Sequence, residues 1–132
     1  MPYDANVLRR AVQRLEDASR SRREDTERRR RAAYAREPRL EQLDRRIQGT
    51  MAGLVAATLR RGGDAAAAVR AVREENQDLQ RERAVLLGGL GLPPDALDDK
   101  PACPLCRDTG WQGAAMCRCL KELCAQEQIK EL

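Results

Sequence analysis

Apolar residues recur at helical spacing along most of the chain, and the pattern changes three times. From Asp4 to about Arg36 an apolar stripe is present only at the start, at Leu8, Ala11, Leu15 and Ala18. Beyond it the segment is polar on every face until Ala32, Ala33 and Tyr34. Such a helix projects into solvent or meets a charged partner, so a partly mobile arm is expected. Pro38 interrupts it, because the residue before a proline is pushed out of the helical region. Proline itself suits the first turn of a new helix. A second stripe follows at Leu40, Leu43, Ile47, Thr50/Met51, Leu54 and Ala57/Thr58, until Gly62-Gly63 stops it. Asp64 is a good N-cap for a third segment. There Ala65, Val69, Val72, Asn76, Leu79, Arg83, Leu86 and Leu90 alternate steps of four and three, a heptad seam. Asn76 and Arg83 interrupt that seam with polar groups, which can fix register. The short glycine joint predicts an antiparallel hairpin of the second and third helices.

The run Gly88 to Pro94 ends the helical region, and Pro94 to Leu97 predicts one short turn. The expected division is a helical region over 1–90, with helices at about 4–36, 38–61 and 64–88. A linker follows over 91–101, then a distinct unit over 102–132. The fold class is mainly α. A long helix and an antiparallel helical hairpin precede a small four-cysteine metal unit, which carries a short β-hairpin and a C-terminal helix.

Composition sharpens this picture. The 132 residues include one Trp, two Tyr and no Phe, so a wide core filled by aromatic bulk is not expected. Charged residues make up 35% of the chain, which suits long helices with narrow stripes. There is no histidine, which removes Ser-His-Asp and Cys-His catalysis and imidazole metal ligation together. No phosphate loop of the Walker type is present, and the chain is expected not to be an enzyme. The net charge of +4 is local: Ser19 to Arg31 holds seven arginines and three acids, leaving 18 basic and 18 acidic residues elsewhere. Acid-then-base pairs at Glu16/Arg20, Glu24/Arg28, Asp25/Arg29 and Glu27/Arg31 favour a solvated helix face. The competing reading is contact with nucleic acid or an acidic partner, although no aromatic residue interleaves the arginines for base stacking. The start of the chain has no apolar secretory region, and no apolar stretch approaches the ~20 residues needed to span a bilayer. A cytoplasmic protein without a membrane partner is expected.

In a reducing compartment, clustered cysteines read first as metal ligands. Cys103 and Cys106 form C-x2-C, and Cys117 and Cys119 form C-x-C ten residues later. Four thiolates favour a closed, structural zinc site with no open position for a reacting water. Gly110 is placed to supply a positive φ after the first pair. Two residues apart on a helix point about 200° away from each other, so Cys117 to Cys119 should be extended or turned, with a helix beginning at or after Cys119. Trp111-Gln112 and Ala115-Met116 flank Gly113 and predict a short β-hairpin. Trp111 is expected to form the small core beside the metal. Cys124 lies about 140° round the following helix from Cys119 and reads as a buried or free thiol, with replacement of one C-x-C ligand as the alternative. A redox C-x-x-C would need a βαβ setting that the sequence does not show. A unit of about 30 residues cannot bury enough surface to fold alone, so metal binding, worth on the order of ten kcal/mol, should supply the stability.

Taken in order, Ala32-Ala33-Tyr34-Ala35-Arg36-Glu37-Pro38-Arg39-Leu40, the Leu-x-x-Leu-Asp start of the second helix, the glycine joint, Leu92-Pro93-Pro94-Asp95-Ala96-Leu97 and Cys-Pro-x-Cys-x-Asp-Thr-Gly-Trp…Cys-x-Cys-Leu-Lys form one series. It resembles the N-terminal region of bacterial primosomal helicase loaders of the DnaC/DnaI-like type. The likeness covers nearly the whole chain and is most specific from Cys103 to Lys121. It implies a region that docks on the hexameric replicative helicase during initiation of DNA replication. An ATPase domain that binds ATP and single-stranded DNA would follow it in a full-length loader. The last residues, Gln126 to Leu132, keep a helical pattern with no terminating glycine or proline, as in a chain cut after its first domain. Some members place a histidine among the metal ligands, which this chain cannot do.

Three other readings compete. One is a zinc-ribbon nucleic-acid binder. Another is a chaperone module, because Cys103 to Gly110 is similar to one repeat of DnaJ-like zinc domains. The last is a purely structural coiled-coil protein with an incidental metal site; self-association through the helices is a further possible contact.

Overall fold

The computed structural model describes residues 3–59 and 65–132. The glycine joint at Gly62-Gly63 and the Asp64 cap lie outside the described residues. Four helices and one two-stranded sheet follow in the order α1 (Ala5–Arg36), α2 (Pro38–Thr58), α3 (Ala65–Gly89), β1 (Trp111–Gln112), β2 (Ala115–Met116) and α4 (Arg118–Lys130). The mainly α class with a small hairpin and a C-terminal helix is therefore observed. The chain forms two compact units, one of Met1–Glu27 with Asp98–Leu132, the other of Arg28–Leu97. Contact thus groups the chain differently from its order in sequence: the first part of α1 belongs with the cysteine segment.

The unit Arg28–Leu97 is built on the α2–α3 hairpin. α2 begins where Glu37 caps it, its carboxylate accepting from the Arg39 amide at 3.4 Å, with Pro38 as the first helical residue. The pairs Asp44–Arg83, Thr50–Asn76 and Gly53–Val72 rise along α2 as they fall along α3, so the helices are antiparallel. The two polar seam residues are both answered from α2. Asn76 Nδ2 donates to Thr50 Oγ1 at 2.7 Å, and that hydroxyl donates onward to the Ile47 carbonyl at 2.5 Å. Arg83 Nε donates to Asp44 at 2.6 Å, and its Nη1 reaches the Pro94 carbonyl at 3.2 Å. A slip of one turn would leave these half-buried groups unpaired, which is how they set register.

α3 ends in a Schellman motif. Leu92 donates to the Leu87 carbonyl at 2.9 Å and Gly91 to Gly88 at 3.0 Å, with Gly91 at φ 75° as the left-handed residue. The motif folds Leu92 back on Leu87, next to buried Leu97, Leu40 and Ala33. Pro94 to Leu97 makes the expected turn, and its last residue is part of the core rather than an idle linker. Arg29 and Arg30 donate to the Ala96 and Leu97 carbonyls at 3.3 and 3.0 Å.

The other unit gives α1 a covered face that its sequence hid. Val7 and Ala11 are buried against Leu120 and Cys124, with Leu15 and Met116 packed beside them. About one and about three turns beyond Leu15, the same side of the helix presents Ser19 and Thr26, both buried, while Ala18 is exposed. The reading of this stretch as polar on every face is corrected: small polar side chains continue the inner stripe where apolar ones stop. The buried Glu127 carboxylate on α4 lies 3.6 Å from Arg10 and 3.5 Å from Arg14, tying α4 to α1. Arg20 pairs with Asp17 at 3.3 Å rather than with Glu16.

Replacing Thr50 by Val strands the Asn76 amide, and should cost about 1–2 kcal/mol in urea unfolding, with most of it recovered in Thr50→Val/Asn76→Leu. Burial, then a hydrogen bond to Asp44, pushes the Tyr34 phenol up to about 12. A raised phenol stabilises the fold below its ordinary value and loses that contribution as pH climbs through the folded value. Thermal melts should therefore fall between about pH 10 and 12, and Tyr34→Phe should flatten that window.

Candidate metal centre

The first cysteine pair sits on a tight turn. The Arg107 amide donates to the Cys103 carbonyl at 2.9 Å, closing a loop around Pro104 and Leu105. Arg107 and Asp108 then take left-handed backbone, at φ 53° and 64°, and Gly110 follows at φ 89°. Two consecutive non-glycine residues in that region are costly unless their surroundings fix them. Here Asp108 does much of the fixing. Its carboxylate accepts from the Cys103 amide at 2.8 Å and the Ala102 amide at 3.1 Å. It also lies 3.1 Å from Arg22 Nε on α1, an ion pair without the alignment of a hydrogen bond. A Cβ on Gly110 would come within 3.0 Å of Leu15 and 3.1 Å of Leu120, so the turn can pass between α1 and α4 only as glycine.

The hairpin carries the second pair into place. β1 and β2 pair antiparallel, with Trp111 opposite Met116 and Gln112 opposite Ala115, and Gly113 at φ 62° lies in the joint. The Cys117 amide donates to the Gly110 carbonyl at 2.8 Å, joining the hairpin to the first turn. Cys117 is extended, at φ −69° and ψ 151°, and caps α4, which begins at Arg118. The expectation that the helix starts at or after Cys119 is corrected by one residue. Only one member of C-x-C must leave the helix for both sulfurs to converge, and Cys117 is that member. Trp111 is also corrected: it is 39% exposed, and the core beside the cysteines comes from α1 and α4 instead.

The predicted ligands Cys103, Cys106, Cys117 and Cys119 are brought together, with all four sulfurs within 4.8 Å of one another. Cys103 and Cys117 sulfurs lie 3.7 Å apart, Cys106 and Cys119 3.4 Å. A tetrahedral ion with sulfur at ~2.3 Å has sulfur–sulfur edges of about 3.8 Å, so the cluster has the size of a tetrathiolate site. The donor set fits a metal ion, and no other residue among the described ones joins it. The Gly110 amide points at the Cys106 sulfur from 3.4 Å. Burial works to raise the Cys106 thiol, but the Gly110 amide and then the neighbouring thiols outweigh it and bring it down to about 6. Burial pushes Cys119 up instead.

Cys124 is fully buried with Val7, Ala11 and Leu120, and burial raises its thiol. It stands apart from the four, as a core residue. Asp108 and Arg22 were missed as supports of the site. The Cys-x-Asp motif carried a signal for the first, whereas nothing in the sequence marks Arg22 among its arginine neighbours.

Serine at any of Cys103, Cys106, Cys117 or Cys119 should lower bound metal well below the wild-type value by elemental analysis. Serine at Cys124 should keep the metal and cost about 1–3 kcal/mol, because a hydroxyl would be buried among apolar groups. Acidification should release the metal, since bound sulfurs must be deprotonated. The chain matches no protein-family model, no curated protein and no solved structure.

Proposed function

We propose that this chain is the helicase-docking region of a replicative-helicase loader, held in shape by a structural zinc ion. The resemblance of Cys103 to Lys121 to the DnaC/DnaI-like loaders supplies the helicase. Zinc is favoured among metals by four sulfur donors in a closed tetrahedral arrangement. It would be held by Cys103, Cys106, Cys117 and Cys119, and would supply structure rather than reactivity. On this reading the chain acts in the cytoplasm as an adaptor, not as a catalyst. No helix among the described residues is long and apolar enough to cross a membrane.

The observation that carries the docking part is on α2 and its C-cap residue. Met51, Val55 and Leu59 are 64%, 57% and 74% exposed, and their spacing of four puts them on one stripe. Large apolar side chains lined up in water mark a surface for another protein, whereas scattered ones do not. The stripe suits a groove between helices on a partner subunit, read by anchors at i and i+4.

Mixing the zinc-loaded chain with the cognate hexameric replicative helicase should give a complex on size exclusion. Met51→Glu/Val55→Glu should weaken it at least about tenfold while leaving metal content unchanged, since each buried anchor is worth on the order of 1–2 kcal/mol or more. No complex at micromolar concentrations would overturn the reading.

A further inference from the structure

Beside the cysteine turn, α1 and the knuckle enclose an open cleft of about 370 Å³. Its walls carry Glu16, Ser19, Arg20, Arg22 and Arg23 from α1 and Arg107, Asp108 and Thr109 from the knuckle. Arg22 is already engaged by Asp99 and Asp108. Arg23 and Arg107 have no ion-pair partner among the described residues, and both are exposed. Arg20 holds only an exposed contact with Asp17. With four arginines against Glu16 and Asp108 among the lining residues, the cleft keeps an excess of positive charge. Its wall also holds an unanswered polar atom. Ser19 is 7% exposed, and its buried hydroxyl has no hydrogen-bond partner among the described residues. A buried hydroxyl without a partner costs free energy, which a ligand oxygen would relieve.

We infer that this cleft is an oxyanion site for a phosphate group, either of a small phosphate or of a nucleic-acid backbone. Arg23 and Arg107 would meet the anion from the two walls, and Ser19 would donate to it from the floor. A guanidinium fork suits phosphate oxygens, and a hydroxyl adds a neutral donor. Arg107 is adjacent to Cys106 and is held in left-handed backbone, so its position follows that of the knuckle. The site rests on the metal-held turn but not on helicase docking.

The test uses the full chain with its metal loaded. Inorganic phosphate is titrated by calorimetry, and a labelled single-stranded oligodeoxynucleotide by fluorescence anisotropy at several salt concentrations. The variants are Arg23→Gln, Arg107→Gln and Ser19→Ala, with Arg45→Gln, an exposed arginine that does not line the cleft, as control. Metal content and helicase co-elution are measured on each, so loss of the knuckle or of docking is seen separately. Each arginine variant should weaken binding about three- to tenfold, and the salt slope of strand binding should fall by about one per arginine lost. Ser19→Ala should weaken binding while leaving the melting temperature unchanged or higher, which a structural hydroxyl would not do. Strand binding displaced by phosphate supports the site with a backbone phosphate as its ligand. Phosphate binding without strand binding supports it with a small phosphate. Binding of neither probe, or equal affinity in the variants and the control, overturns it.

Discussion

Four sulfurs within 4.8 Å of one another, drawn from two turns and a helix start, are the constraint on which one half of the molecule depends. Nothing apolar could replace them. The segment between Cys103 and Cys119 buries little beyond its cysteines and Gly110, and its aromatic residue faces out. A metal ion at their centre would fix in one step what hydrophobic burial cannot fix in so short a stretch. From that centre the rest follows by contact. The left-handed turn places Gly110 against Leu15 and Leu120, and the Cys117 cap sets where α4 begins. α4 then aims Leu120, Cys124 and Glu127 at the first turns of α1.

The hairpin unit is held by a different logic. Its core is narrow, mostly leucine and alanine, and such seams slide easily because one leucine fits where another did. Directional groups prevent the slide. Asn76 with Thr50 and Arg83 with Asp44 pair across the two helices at one register, and Tyr34 adds a second hydrogen bond to Asp44. The cost is some stability relative to an apolar seam, and the gain is a single arrangement.

The arginine run joins these themes. It reads as one patch in sequence, yet the structure divides its members among different duties. Arg22 braces Asp108 under the cysteine turn, and Arg29 and Arg30 hold carbonyls at the end of the Pro94 turn. Arg23 remains exposed beside Arg107 at a cleft with an unsatisfied hydroxyl. Positive charge near a tetrathiolate also has a use of its own, since four sulfurs on a divalent ion carry a formal −2.

Much of this was legible in the residues alone. Steps of three and four gave the helices, Pro38 marked a break, and the C-x2-C and C-x-C spacings named the four sulfurs that the fold gathers. These are local properties, set by backbone geometry and by the reach of a few residues. What lay beyond reading was which distant side chains would meet. Ser19 and Thr26 look like surface residues until the cysteine segment and its approach cover them, and Trp111 looks like core until α1 takes that place. The helix start at Arg118 turned on a single ψ angle at Cys117. Sequence by itself determined the elements and the donor atoms, because both follow from neighbours along the chain. Only the tertiary structure decided burial, since whether a polar face is wet depends on what folds across it from far away.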